Sequence, residues 1–280
     1  MKFALFMGCK IPFYLKHYGT STKAVLNCFD VKFTELEFNC CGYPNHDLHF
    51  ESYILSAIRN IAMAQKQNLH ILTPCKCCFG SLKHAEHWMR ESASLREEIN
   101  KELEKEGLYW KGEVEIKHLL SVLAHDVGVE TIKSCVKKPQ RDLKVAAHYG
   151  CHALRPAGVV QFDNPFAPTI FENLVAATGA KTVDWPRRLD CCGNPLWGKN
   201  REISLALMKN KIMDAEESGA NCLCTACTYC QLQFDNIRNE EFSGNERYEN
   251  IPSLLYTQLL GLSLGLPEEE LGLKNNRIGL

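Results

Sequence analysis

Two short apolar runs, each closed by Gly-Cys, punctuate the chain: Phe3-Ala4-Leu5-Phe6-Met7-Gly8-Cys9 and Val145-Ala146-Ala147-His148-Tyr149-Gly150-Cys151. Runs of this length bounded by turn residues read as buried strands. Each is followed by a helical stretch and a second short strand, Phe33 to Phe38 and Lys181 to Trp185. These lead to Cys40-Cys41-Gly42 and Cys191-Cys192-Gly193. After each vicinal pair the apolar period changes to that of a helix. Ile54, Leu55, Ile58, Ile61 and Ala62 form one stripe, and Ile203, Leu207, Met208 and Ile212 form the other, both expected to face the core. Each helix returns through a short strand, Leu69 to Thr73 and Asn221 to Thr225, into Cys75-x-x-Cys78 and Cys227-x-x-Cys230.

The chain is therefore an internal repeat. Strands alternating with helices predict an α/β fold of two pseudo-symmetric modules with mainly parallel sheets flanked by helices, since each helix supplies the crossover that parallel strands need. The expected division is 1–138 and 139–280, with Lys133 to Asp142 as the linker. The cysteines then fall in loops after strand C-termini, where open α/β sheets place their sites. The segment 83–117 has no counterpart in the second half. It reads as an inserted, solvated helix with one apolar stripe, and otherwise as an arm for docking a partner.

Composition narrows the function without naming it. In 280 residues, 45% are hydrophobic and 23% charged, with a net charge of −1, so neither disorder nor a nucleic-acid-binding surface is indicated. The first apolar run is too short for a secretory leader, and no stretch approaches the roughly 18 apolar residues of a membrane span. The chain reads as cytoplasmic, and in a reducing compartment fifteen cysteines point to metal binding, not to disulfides.

Five cysteines recur at fixed places in each half: Cys9, Cys40, Cys41, Cys75 and Cys78, then Cys151, Cys191, Cys192, Cys227 and Cys230. Between the vicinal pair and the Cys-x-x-Cys lie 33 residues in the first half and 34 in the second. A structural zinc takes four ligands. Five is one too many, and adjacent cysteines in extended chain point to opposite sides, which suits a multi-iron cluster better than a single ion.

The tandem Gly-Cys, Cys-Cys-Gly, Cys-x-x-Cys pattern resembles the cysteine-rich CCG domain pair, and within it the B subunits of heterodisulfide reductases. Gly150-Cys151-His152-Ala153-Leu154-Arg155-Pro156, Cys78-Phe79-Gly80-Ser81-Leu82 and Cys230-Gln231-Leu232-Gln233-Phe234-Asp235 carry the likeness, as does Tyr256-Thr257-Gln258-Leu259-Leu260-Gly261. The resemblance implies two non-cubane [4Fe–4S] clusters on the ten cysteines. It also implies a catalytic iron–sulfur protein that reduces or forms a mixed disulfide between the modules, as one member of a multisubunit complex. Its implied partners are the ferredoxin-like iron–sulfur C subunit and the flavin-bearing A subunit. Related readings are a member of a sulfur-oxidising complex acting on sulfane sulfur or persulfide, and an electron relay without its own substrate.

The remaining residues carry weaker expectations. His152 and Arg155, beside Cys151, are candidates for stabilising sulfur-centred charge or delivering protons; Lys10 and His17 are fainter ones. Gly42 and Gly193 are expected to bring backbone N–H groups close to sulfur. Cys28, Cys222 and Cys224 are expected to be buried as small apolar residues, and Cys135 to be a bystander by the linker. Cys77 is matched by Tyr229 in the second half and is read as a non-ligand.

Overall fold

In the computed structural model, which describes residues 2–244 and 251–280, the two halves form two four-stranded, wholly parallel sheets. In the first sheet β1 (Phe3–Leu5) lies between β2 (Phe33–Thr34) and β3 (His70–Thr73), and β4 (Ile116–His118) pairs with β3. The second repeats this order with β5 (Lys144–Ala147), β6 (Lys181–Thr182), β7 (Cys222–Thr225) and β8 (Ser253–Leu255). The registers correspond as well: Phe3 pairs with His70 and Leu5 with Leu72, as Val145 pairs with Cys222 and Ala147 with Cys224. Cys222 and Cys224 are thus core residues of a central strand, as expected.

Several details depart from the sequence pattern. β2 and β6 are only two residues long, and the chain beyond each leaves the sheet before reaching the vicinal cysteines. The 83–117 segment is not one solvated helix. The helix that begins after Cys75 runs Lys76–Glu91 and breaks at Ser92, whose hydroxyl accepts from the Leu95 N–H and caps a second helix, Ala93–Glu104. Ala85, Met89, Ile99 and Leu103 bury its inner face, and Trp110 and Val114 bring the chain back into β4. The helix Arg201–Glu217 buries Ser204, Met208, Lys211, Ile212 and Ala215, whereas Ile203, placed on the core stripe by periodicity, is 49% exposed. The buried face is turned by about one residue and takes in a lysine.

The halves are interlocked. A single apolar cluster runs through both sheets, and the helix Lys16–Cys28 packs on the helix Tyr256–Leu264 through a buried Ser21–Thr257 hydroxyl pair at 2.7 Å. The expected linker includes the end of the helix Val129–Cys135 and is then strapped to the second half. The Lys137 and Lys138 N–H groups both donate to the Ser263 carbonyl. Among the described residues no helix is long and apolar enough to cross a membrane.

Candidate functional site

The site is built at strand C-termini. Cys9 follows β1, the vicinal pair follows β2, and Cys75 with Cys78 open the helix after β3; β5, β6 and β7 serve the second half in the same way. In the order β2-β1-β3-β4 the chain reverses direction across the sheet between β1 and β3, so the three loops converge on the crevice that such a reversal leaves.

The vicinal pairs are held by their glycine. Gly42 and Gly193 have φ of +81° and +92°. The Gly193 N–H donates to Cys191 Sγ at 3.4 Å, and the Gly42 N–H interacts likewise with Cys40. Glycine is required for a second reason that the sequence did not disclose. A Cβ on Gly42 would lie 2.6 Å from the Tyr53 carbonyl oxygen, and one on Gly193 would lie 2.5 Å from that of Ser204. The turn is pressed against the backbone of the following helix.

All ten motif cysteines come together, and no other cysteine joins them. Cys9 Sγ lies 3.6 Å from Cys40 Sγ. Cys40 interacts with Cys41, Cys41 with Cys78, and Cys78 with Cys75. The second half mirrors this with Cys151 to Cys191, Cys191 to Cys192, Cys192 to Cys230 and Cys230 to Cys227. The two groups of five meet where Cys75 Sγ and Cys227 Sγ approach to 3.9 Å. Neighbouring thiols pull Cys41 and Cys191 well below the usual thiol range, as their partners donate to the thiolate, and hold Cys78, Cys151 and Cys230 above it. Such a set of sulfurs, some ionised at little cost, is the donor chemistry of an iron–sulfur site.

The other cysteines are placed apart. Cys77 is buried near both groups, with its thiol pushed up first by desolvation, and is outside the line of interacting sulfurs. Cys135 is exposed, and so is Cys28, contrary to the expectation of burial: it is the last residue of its helix and faces a surface cleft that Cys135 also lines.

The five cysteines of the second group line one cavity, Cys9, Cys40, Cys41 and Cys78 of the first group line another, and Tyr229 lines both. Tyr43 stands at the junction, its ring edge-on to His152 at 4.8 Å and to Tyr229 at 5.6 Å. Outside them opens a cleft of about 480 Å³ between the halves, lined by Lys10, Tyr14, Tyr43, Trp197, Lys199 and Tyr229 among others. Lys10 Nζ sits over the Tyr229 ring at 4.8 Å and the Tyr14 ring at 5.3 Å.

Of the two sequence candidates beside Cys151, His152 lines the second cavity and its imidazole is kept neutral chiefly by burial. Arg155 is on the surface, donating to the Leu189 carbonyl at 3.3 Å, and lines neither cavity. His17 is buried with Gly272 packed against it and lines neither cavity.

Three residues escaped sequence reasoning. Lys76 is 2% exposed and crosses from the first half to line the second cavity, donating to the His148 carbonyl at 3.0 Å and lying over the Phe171 ring at 4.2 Å. Lys211 is 1% exposed, donates to the Arg187 carbonyl and lies 4.6 Å from the Trp185 ring centre. Burial lowers both ammonium groups to about 8, which leaves them charged at neutral pH. Among the described residues His148 has no hydrogen-bond partner at either ring nitrogen, and its donor atom lies within 4.8 Å of the Cys192 and Cys230 sulfurs. Its signal was a histidine where the first half has Phe6; the two lysines gave none, since a lysine in a helix ordinarily reads as solvated.

Comparison with known proteins agrees with this geometry. A family model described as a cysteine-rich domain, CCG, matches residues 3–83 and again 145–235. The chain is 34% identical over 285 residues to the B subunit of the ferredoxin/F420H2-dependent CoB-CoM heterodisulfide reductase of Methanosarcina acetivorans, covering 99% of this chain and 94% of that one. It is 35% identical over 279 residues to the membrane anchor subunit of the 8-methylmenaquinol:fumarate reductase of Wolinella succinogenes, covering 99% and 97%. In fold, all of the chain superposes on 52% of a hypothetical protein from Helicobacter pylori with a TM-score of 0.78 at 15% identity. With both repeats matched and similarity spanning nearly its full length, the chain belongs to the cysteine-rich CCG-domain family as a tandem member.

Proposed function

We propose that this chain is the iron–sulfur redox subunit of a complex acting on sulfur groups, holding one [4Fe–4S] cluster of non-cubane type on each group of five cysteines. The observation that carries the reading is the line of ten sulfurs, five from each repeat, meeting at the 3.9 Å approach of Cys75 and Cys227. The residues present fit such groups. Five sulfurs line the second cavity and four the first, with Cys75 in contact with that group. Cys41, Cys75 and Cys191 are readily ionised. Among the described residues the two buried ammonium groups have no carboxylate salt bridge and the buried His148 ring no hydrogen-bond partner, places that a thiolate-ligated cluster would fill.

When bound, the clusters would supply single electrons and iron positions open to an added sulfur ligand. The protein's own residues shape the access. Tyr229 lines both cavities and the outer cleft, and Tyr43 lines the first cavity and the cleft, so a disulfide entering the cleft would meet these two rings where the groups of sulfurs adjoin. Lys10 supplies positive charge at the mouth, suited to a thiolate. His152 follows Cys151 directly and lines the second cavity, and no role is proposed for Arg155.

Electrons would be exchanged with partner proteins, of which a ferredoxin-like C subunit and a flavin A subunit fit the heterodisulfide reductase relatives. The similarity to the Wolinella fumarate reductase protein favours a second reading, in which the same two clusters relay electrons with no substrate at the cleft. Electron paramagnetic resonance of the anaerobic protein, with and without a candidate disulfide or its thiols, separates them. A spectrum altered by the sulfur compound supports chemistry at the cleft, and one indifferent to every thiol and disulfide supports the relay.

A further inference from the structure

The two groups of cysteines are equivalent in position but not in what surrounds them. Three residues before Cys151 stands His148; three before Cys9 stands Phe6, which packs on Phe38 at 5.0 Å. The residue after Cys75 is Lys76, and the residue after Cys227 is Thr228. Each crosses the seam to line the other half's cavity, so the second group receives an ammonium and the first a hydroxyl. Thr228 Oγ1 lies 3.1 Å from Cys75 Sγ.

Nineteen residues after Cys192 comes Lys211, and nineteen after Cys41 comes Asn60. Asn60 is a neutral brace. Its amide donates to the Cys40 carbonyl at 3.0 Å and its carbonyl oxygen accepts from the Asn39 N–H. At all three paired positions the second group of sulfurs receives the basic residue and the first group the neutral one.

Neither buried ammonium forms a salt bridge with a carboxylate among the described residues. The acids nearest them are engaged or exposed: Glu172 pairs with Arg188 at 3.2 Å, and Asp190 is half-exposed beside Arg187. Two buried cations without a counter-ion are costly unless an anion sits between them. The cation nearest the first group is Lys10, which lines the first cavity beside Cys9 but is only partly buried and also borders the open cleft, where water screens it.

We propose that the two cluster sites are unequal by construction: the one on Cys151, Cys191, Cys192, Cys227 and Cys230 has the higher reduction potential and is reduced first. Reduction adds one negative charge, and charge of the opposite sign held close in a medium of low dielectric stabilises the reduced form. Lys76 and Lys211 act on the cluster through space and are positioning residues in this sense. The inference rests on the proposed occupancy of both groups by iron–sulfur clusters.

The test is an anaerobic redox titration of the iron-loaded chain followed by electron paramagnetic resonance, with metal content measured on the same sample. About eight irons per chain establish loading; a lower content overturns the proposed occupancy and is distinguishable from failure of the inference. With both sites loaded, two separable midpoints are expected, and the signal of the upper one is lost in Cys191→Ser. Lys211→Met and Lys76→Met are each expected to lower only the upper midpoint by at least a tenfold change in the reduced-to-oxidised ratio, which is about 59 mV for one electron.

Thr228→Lys, placing a second and buried ammonium in the first cavity beside that of Lys10, is expected to raise only the lower midpoint, and it reports even if a lysine variant does not fold. Coincident midpoints in the unmodified chain, or substitutions that move both midpoints together or neither, overturn the inference.

Discussion

The first and second cysteine groups share a backbone and differ in their electrostatics. Strand order, register, the two glycine turns and the five sulfur positions repeat from one half to the other. The residues around the sulfurs do not repeat: Phe6, Thr228 and Asn60 of one group correspond to His148, Lys76 and Lys211 of the other. A duplicated scaffold keeps what geometry demands and leaves charge free to diverge. Substitutions in the shared frame should therefore have equal effects in the two halves.

The largest effect is expected from the proposed cluster ligands. Cys40→Ser and Cys191→Ser should each remove one cluster, about half the iron, and leave the other signal in place, as read by iron analysis and paramagnetic resonance. Loss of all iron in either variant would mean that the two groups assemble only together, through the Cys75–Cys227 contact.

Next come the turns. Gly42→Ala and Gly193→Ala should destabilise by similar amounts, about 1–3 kcal/mol from the positive φ alone, and more from the approach of Cβ to carbonyl oxygens at 2.6 and 2.5 Å. Thermal unfolding of the two variants checks this, and a markedly smaller loss at one turn would break the scaffold equivalence.

A smaller effect concerns acid. Burial lowers the His17 imidazole from 6.5 to about 4, so below about 6.5 the unfolded chain binds the proton that the folded chain refuses. Stability should fall as pH drops from about 6.5 towards 4, and His17→Gln should flatten that slope in denaturant titrations. The smallest effect is expected at the seam: Ser21→Ala removes the buried hydroxyl pair with Thr257 and should cost about 1 kcal/mol.

Much of the frame was legible in the sequence because it depends on local pattern. The Gly-Cys strand ends, the vicinal pairs and the Cys-x-x-Cys helix starts were identified by recurrence, and the structure brings those ten cysteines together while leaving out Cys77 and Cys224. What escaped is tertiary. The edge strands Ile116–His118 and Ser253–Leu255 are too short to show a period. Ile203 and Lys211 exchanged their expected environments because the helix is rotated to bring the lysine to the sulfurs. Lys76 and Thr228 cross between halves, a contact that no reading within one repeat contains. Cys28 was expected inside because cysteine usually is, and its place at a helix end puts it outside.

The most direct test of paired cluster sites is the content of iron, acid-labile sulfide and zinc in the chain purified without oxygen. Two four-iron clusters on ten cysteines predict about eight irons with matching sulfide and no zinc. Four irons with one zinc would contradict them, leaving one group of five as a cluster site and the other as a structural metal site.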